Sequence, residues 1–336
     1  MSKAAKRGRA AIGIDIGGTK SLYALFDERF EVLAEEKLRS HPKKGGLRAF
    51  ERGHVRAIRA LLREAKRLGL KVDVVGAGIA GRVNLGEGVV DHAPSLGFLD
   101  GYPLRRRLTT LTGARTFVCN DVHCGLYGEF RRGAALGARH VIGVWIGTGV
   151  GGAVIIDGRL HLGASGMAGD IGNYILHPVD IGRDSRRKEV LDSVASRTAI
   201  AGDAAALAAK RWASKLRKIA GTDVRDITSG SLAKAIRAGD KAVEELLRSR
   251  ASILGAVISN LVDFLNPDMV VLGGGLVEAL PQLLRREIER SVKAHAAPRS
   301  ARAVTVRTAR LHDHAGTTGA AMLAYDMHTG HPPIEI

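Results

Sequence analysis

The sequence predicts an α/β protein. Predicted strands alternate with helical stretches along the chain. A strand–glycine turn–strand unit recurs 130 residues after its first appearance, and the 42 glycines cluster instead of scattering.

The first element follows a basic tail ending near Ala10. Ile12, Ile14 and Ile16 alternate before Gly17-Gly18, so residues 11–26 form a strand, a turn and a second strand. Residues 47–68 carry Ala57, Ile58, Leu61, Leu62, Ala65 and Leu68 at helical spacing. Strands follow at 72–80 and 117–118, separated by a Pro/Gly-punctuated loop over 91–103. Residues 122–130 form a helix, 140–157 a second hairpin, 170–192 a polar loop and 204–220 a helix. A broad apolar face from Val243 to Leu265 marks a long helix over 241–265, stopped by Asn266-Pro267. A buried strand over 269–272 enters Gly273-Gly274-Gly275. A helix over 280–295, a strand over 303–308 and a helix over 316–326 complete the chain. In the internal correspondence, Ile12, Gly13, Ile14, Ile16, Gly17 and Asp27 fall on Ile142, Gly143, Val144, Ile146, Gly147 and Asp157. Two related lobes facing across a cleft are therefore expected.

The chain has 336 residues, 45% of them hydrophobic, enough for a sizeable core and too many for wholesale disorder. Its net charge of +17 favours polyanionic ligands without choosing among nucleotides, sugar phosphates, polyphosphate and nucleic acid. Two cysteines supply no disulfide framework, and no window is long enough for a membrane span; a reducing, cytoplasmic setting is expected.

Gly76-Ala77-Gly78-Ile79-Ala80-Gly81 and Gly147-Thr148-Gly149-Val150-Gly151-Gly152 both fit G-x-G-x-x-G. That fingerprint holds a dinucleotide only where a helix opens inside it. A turn-rich stretch follows the first and a strand the second, so a nicotinamide enzyme is disfavoured. Glycine turns between strands can still cradle phosphate, because backbone N–H groups approach the oxygens closely. Turns at Gly17-Gly18, 147–152 and 273–275 together point to a nucleotide. Asp15 supplies a carboxylate where Mg²⁺ on the phosphates would sit, and Thr19 and Lys20 a hydroxyl and a charge. Asn120-Asp121 stands where a strand gives way to a helix, so Asp121 is either a proton acceptor for an attacking hydroxyl or an N-cap. The helix dipole would keep its pKa low. Cys119, Asp121, His123 and Cys124 do not converge as metal ligands on such a helix.

With these residues the sequence resembles the ROK family of repressors, open reading frames and sugar kinases, within the actin-like/hexokinase ATPase superfamily. The resemblance rests on Gly13–Lys20, on Asn120-Asp121 with Gly128-Glu129, and on 146–152 with Asp157-Gly158, Gly163 and 168–172. It extends to Asn266-Pro267-Asp268 through Gly275 and to Ala315-Gly316 through Ala324. It implies a two-lobed actin-like ATPase (ribonuclease H-like) fold with duplicated β-hairpin/α units and a central cleft. The implied division is a tail over 1–10, an N-terminal lobe over 11–118 that recovers the helix at 316–336, and a C-terminal lobe over 119–315. It implies an ATP- and Mg²⁺-dependent hexose kinase, glucokinase-like, acting at the sugar 6-hydroxyl with Asp121 as base. Gly81, Ser95, Asn120, Asp121, Asp170, Asn173 and Asp192 would meet the sugar. Asp15, Gly17, Gly18, Thr19, Lys20, Gly147, Thr148, Gly149, Gly151, Gly273, Gly274 and Gly275 would meet the nucleotide and its metal.

The departures matter as much. The family's Glu-x-Gly-His is Asp170-Ile171-Gly172-Asn173 here, and Arg183, Ser185 and Val190 occupy the positions of three zinc-binding cysteines. No zinc is expected. Asp170 and Asp192 are each one methylene shorter than the family's glutamates, and Ser95 stands where asparagine is usual, so substrate identity is more open than the phosphoryl chemistry. A sugar-sensing DNA-binding regulator, or a sugar-binding protein without catalysis, is the alternative; only about ten residues precede the first strand, which leaves no room for a helix-turn-helix. Polyphosphate could replace ATP as donor. Family members often form homodimers.

Overall fold

The computed structural model describes residues 8–40, 46–176, 189–329 and 334–335. The chain divides into two units: one of residues 1–137, 154–168 and 313–336, the other of 138–153 and 169–312.

In the first unit, β1 (Gly8–Ile16), β2 (Lys20–Phe26) and β3 (Val32–Arg39) form an antiparallel meander. Helix α1 (Gly46–Arg67) crosses to β4 (Leu70–Ile79), which is parallel to β1. A small ribbon, β5 (Arg82–Asn84) with β6 (Val89–His92), precedes α2 (Leu104–Thr112), β7 (Arg115–Asn120) and α3 (Asp121–Arg132). The sheet order is β3-β2-β1-β4-β7. Its α1 face is filled by Ile12, Ile14, Leu25, Ile58, Leu61 and Val75.

In the second unit, β8 (Val141–Ile146) and β9 (Val150–Ile156) form the second hairpin. The last residues of β9 belong to the first unit, where they pair with β10 (Arg159–His161). Then come α4 (Leu191–Ala195), α5 (Arg197–Ala209), α6 (Ser214–Ala220), α7 (Ser229–Arg237) and α8 (Lys241–Leu265). The chain continues as β11 (Met269–Gly273), α9 (Gly275–Ala279), α10 (Pro281–His295), α11 (Pro298–Ala303) and β12 (Thr305–Thr308). Helix α12 (Ala315–Thr329) and β13 (Ile334–Glu335), which pairs with β10, return to the first unit. The strand order β10-β9-β8-β11-β12 repeats that of the first sheet. The duplication holds to the residue: β2 spans 20–26 and β9 spans 150–156, offset by the same 130 positions.

Several expected boundaries shift. The division expected at 118/119 falls after Gly137, because α3 packs on α12 within the first unit. The single helix expected over 204–220 is two: Arg211 adopts φ 63°, and the N–H groups of Trp212 and Ala213 both turn back to the Leu207 carbonyl. The buried Asp240 carboxylate then caps α6, accepting the Lys215 and Leu216 N–H groups at 2.9 Å each. The loop expected over 170–192 contains a short 3-10 turn at Ile171–Asn173 and the start of α4.

Helix α12 is seated by glycines. A Cβ at Gly13 of β1 would lie 1.9 Å from the Thr317 carbonyl oxygen, and one at Gly76 of β4 would lie 1.8 Å from that of Ala320. A Cβ at Gly128 of α3 would lie 2.5 Å from the Ala315 oxygen, and one at Gly319 of α12 itself 1.7 Å from that of Cys124. Backbone lies on backbone, a closeness that no side chain permits. Gly76→Ala is therefore expected to destabilise the fold by about 3 kcal/mol, the upper end of overpacking costs. Gly202→Ala, inside α5 with no atom within 4 Å of its missing Cβ, should stabilise by up to about 1 kcal/mol. Urea unfolding of both variants checks the opposite signs.

Candidate functional site

Three parallel strands of the first unit end together. Asp15 on β1 is in register with Gly78 on β4, and Gly78 with Cys119 on β7, so Asp15 and the β7–α3 junction share the C-terminal edge of the sheet. Gly78 makes room there: a Cβ would stand 3.1 Å from Asp121 Cα and 3.0 Å from Cys124 Sγ. The two buried thiols lie 3.2 Å apart, and burial pushes that of Cys124 upward.

Asn120, not Asp121, is the N-cap of α3. Its side-chain oxygen accepts the N–H groups of Val122 (2.9 Å) and His123 (3.3 Å), and its amide donates to the Gly81 carbonyl at 3.1 Å. Gly81 has no room for a side chain, because a Cβ would meet the His92 carbonyl at 2.6 Å. Asp121 occupies the first helical turn, where Oδ1 accepts the Val122 N–H at 3.0 Å. The low pKa expected from the helix dipole does not hold. Burial raises the carboxyl to about 6, outweighing the opposing hydrogen bonds from the backbone and Asn120.

Asp15 is raised further, to about 8, first by burial, then by Asp121; Lys20 opposes the rise and Asp313 adds to it. Its carboxylate lies against the first turn of α12, where a Cβ on Gly316 would come within 2.5 Å of Oδ2. The glycine turn after β1 is closed by the Gly17 N–H donating to the Lys20 carbonyl at 3.1 Å. Gly18 rests on Ser95, whose Cβ would be 2.9 Å from a Gly18 Cβ. Thr19 accepts the Ser40 N–H through its carbonyl. Lys20 donates to Asp313 Oδ1 at 2.5 Å. Asp313 was not among the residues expected from sequence, since it stands alone between a strand and a helix.

The second unit gathers the other glycine segments. The turn after β8 is closed by the Gly147 N–H donating to the Gly149 carbonyl at 2.8 Å. The first turn of α5 holds it: the Arg197 N–H donates to the Gly147 carbonyl at 2.9 Å, and the Thr198 hydroxyl to that of Thr148 at 2.7 Å. Gly151 begins the climb along β9. At the end of β11, a Cβ on Gly273 would strike the Trp145 ring and one on Gly274 the Ile146 carbonyl, at 2.5 and 2.6 Å. The 145–149 and 273–275 backbones therefore lie side by side. Gly274 has φ +90°, and Gly275 opens α9 with no atom within 4 Å of its missing Cβ.

Asp192, expected at the sugar, accepts the Val150 N–H at 2.6 Å through Oδ1, and that oxygen fills the place of a Gly149 Cβ at 2.7 Å. It anchors the glycine turn. Asp170 and Asn173 are exposed and hold each other, Nδ2 to Oδ2 at 2.7 Å. Among the described residues, no group of three or more His, Cys, Asp or Glu side chains could hold a metal ion. Arg183 and Ser185 lie outside the described residues. No helix of the described residues is long and apolar enough to cross a membrane.

Two sheets of one strand order, each led by a hairpin with a glycine turn, define the actin-like ATPase fold. Residues 11–327 match the ROK family, and the chain belongs to it. A glucokinase of Halalkalibacterium halodurans is 30% identical over 329 residues, covering 93% of this chain and 94% of that one. Among solved structures, a ROK family glucokinase from Streptomyces griseus in complex with glucose and AMPPNP superimposes with a TM-score of 0.79. It is 29% identical and covers 94% of this chain and 99% of its own. A ROK hexokinase from Thermus thermophilus gives 0.76 at 28% identity, covering 96% and 99%.

A carboxyl group that folding raises from 3.8 to about 8 holds its proton in the folded chain while the unfolded chain has lost it. Stability is thus withdrawn as pH climbs through that window. Asp15→Asn should raise the thermal midpoint over the parent little near pH 4, more at each step to pH 8, and by a constant amount above. A pH-independent difference would contradict the burial of this carboxyl.

Proposed function

We propose that the chain is an ATP-dependent sugar kinase that phosphorylates a hexose at its 6-hydroxyl, with glucose the first substrate to test. The observation that carries this reading is the pair of desolvated carboxyls, Asp15 and Asp121, at one sheet edge. The kinase relatives support it, and so does a second unit with two adjoining glycine turns. Phosphoryl transfer asks mainly for positioning and charge compensation.

In this reading Asp121 accepts the hydroxyl proton as the sugar oxygen forms its bond to the γ-phosphorus and the bond to the ADP oxygen breaks. A carboxyl raised to about 6 is ionised at neutral pH yet more basic than an ordinary aspartate, which suits that task. Asn120 fixes the start of α3 and thereby the direction of Asp121. Asn120, Ser95 and Gly81 are the residues of the first unit assigned to the sugar in this reading. In the second unit, the N–H groups of Thr148 and Gly149 and those of 274–275 are offered to the phosphates, while those of Gly147 and Val150 hold the turn itself closed.

Asp15 also fits a divalent cation. Its carboxyl is destabilised as an anion, so added positive charge there is favourable, and a site with one protein carboxylate suits Mg²⁺ held chiefly by phosphates and water. Asp15 would hold the cation, which would supply charge neutralisation on the phosphates. A homodimer and a reducing cytoplasmic setting belong to the same reading.

The test is ADP release with ATP and Mg²⁺ across hexoses and N-acetylhexosamines, with Asp121→Asn alongside. One sugar should be turned over, with kcat in the variant down by about 10²–10⁴-fold. Failure of every sugar would refute the kinase reading. Because Asp121 acts ionised, kcat/KM should be flat above pH 7 and fall about tenfold per unit below its pKa near 6. A profile flat to pH 4.5 would show that the carboxyl acting as base is not raised by burial. Asp192→Ala should raise KM for ATP more than KM for the sugar, since it anchors the glycine turn; the reverse would return Asp192 to the sugar pocket.

A further inference from the structure

Asp313 is bound to two lysines at once. Oδ1 accepts from Lys20 at 2.5 Å and Oδ2 from Lys37 at 3.2 Å. The lysines come from β2 and β3, where Leu22 is in register with Lys37, so Lys20 and Lys37 project from the same face of the ribbon. Asp313 sits in the turn His312–His314 that leads into α12. Three residues later Gly316 packs on the Asp15 carboxylate. One short stretch of backbone therefore touches Asp15 with its glycine and Lys20 with its aspartate.

Folding does not explain this ion pair. The Lys20 and Asp313 side chains are 47% and 40% exposed, and pairs so open to water contribute little to stability. The geometry explains it better. The Lys20 carbonyl already closes the Gly17 turn, but a lysine side chain on a turn is a loose four-carbon stem. Asp313 takes one of the three ammonium hydrogens and leaves two.

We propose that Asp313 is a positioning residue for the nucleotide: it holds the Lys20 ammonium in place at the β1–β2 turn, ready for the phosphates. This rests on the kinase reading and adds a residue to it. Lys37 is the outer brace of the carboxylate and makes no contact of its own with the nucleotide. Restraining the cation beforehand lowers the ordering cost that nucleotide binding would otherwise bear.

Titration calorimetry of the full chain with Mg-ATP, without sugar, tests the assignment, and steady-state kinetics complete it. Asp313→Ala should weaken ATP binding about five- to tenfold and raise KM for ATP equally, with kcat at saturating ATP within about threefold. Asp313→Glu should recover part of the loss. In a Lys20→Met background, Asp313→Ala should have no further effect. Lys37→Ala should stay within twofold of the parent. Unchanged or tighter binding in Asp313→Ala would overturn the proposal. So would an undiminished effect in the Lys20→Met background, or an equal loss in Lys37→Ala, which would show that bulk charge is responsible. A parent that binds no ATP would refute the kinase reading and this proposal together; a parent that binds ATP with Asp313→Ala unaffected would refute only the proposal.

Discussion

Everything at the sheet edge depends on one contact, the seating of α12 on the glycines of β1, β4 and α3. Gly13 and Gly76 let the helix backbone touch the sheet, and Gly319 lets α3 touch the helix. Because a Cβ at Gly13, Gly76 or Gly319 would meet a carbonyl oxygen at under 2 Å, only glycine allows this approach, and α12 in contact with both ties α3 to β1. Asp121 begins α3 and Asp15 ends β1, so the separation of the two carboxyls is set by backbone packing, not by flexible side chains. The same helix brings Gly316 to Asp15 and carries Asp313 at its approach. Tyr127 of α3 donates to Asp326 of α12, with Arg131 on the same carboxylate, and so ties the far end of the pair.

That rigidity is what makes the electrostatics tolerable. Two carboxyls at one edge are removed from water, and Asp121 adds to the cost of ionising Asp15. A softer scaffold would relax by letting one of them turn outward. Here the strain is stored as raised proton affinity, largest at Asp15, where Lys20 only partly offsets it. Positive charge placed beside Asp15 would lower that cost.

Much of this was legible in the sequence, and the reasons differ from residue to residue. The hairpin duplication was visible because strand–glycine–strand patterning is local and recurs at one offset. Asp15 and Asp121 were visible because each stands where a strand ends. The glycines were only half legible. Gly17 and Gly147 lie in turns, but Gly76, Gly78 and Gly81, which spell a phosphate fingerprint, serve instead to admit α12, Asp121 and the His92 carbonyl. Composition cannot distinguish a glycine that faces a ligand from one that faces a helix. Strand β3 gives no sequence signal because VLAEEKLR is a half-exposed edge strand without an apolar run. The break between α5 and α6 is not legible locally because the carboxylate that caps α6, Asp240, lies 25 residues from Lys215 in the chain. The resemblance places Asp192 at the sugar; the contact its carboxylate makes with the Val150 N–H depends on folding and is not legible in the sequence.

The chain order of α12 bears on biosynthesis. The groove that Gly13, Gly76 and Gly128 line is complete once residue 137 has been made, yet the helix that fills it ends at Thr329. At ordinary elongation speeds of about 5–20 residues per second, on the order of 10–40 s pass between the two. Throughout that interval the first sheet has one face covered by α1 and the other covered only at its edge by α3, while the second unit, contiguous from 169 to 312 apart from its leading hairpin, can close on itself. The nascent protein thus presents an unfilled apolar seam on the ribosome that only its last helix can seal.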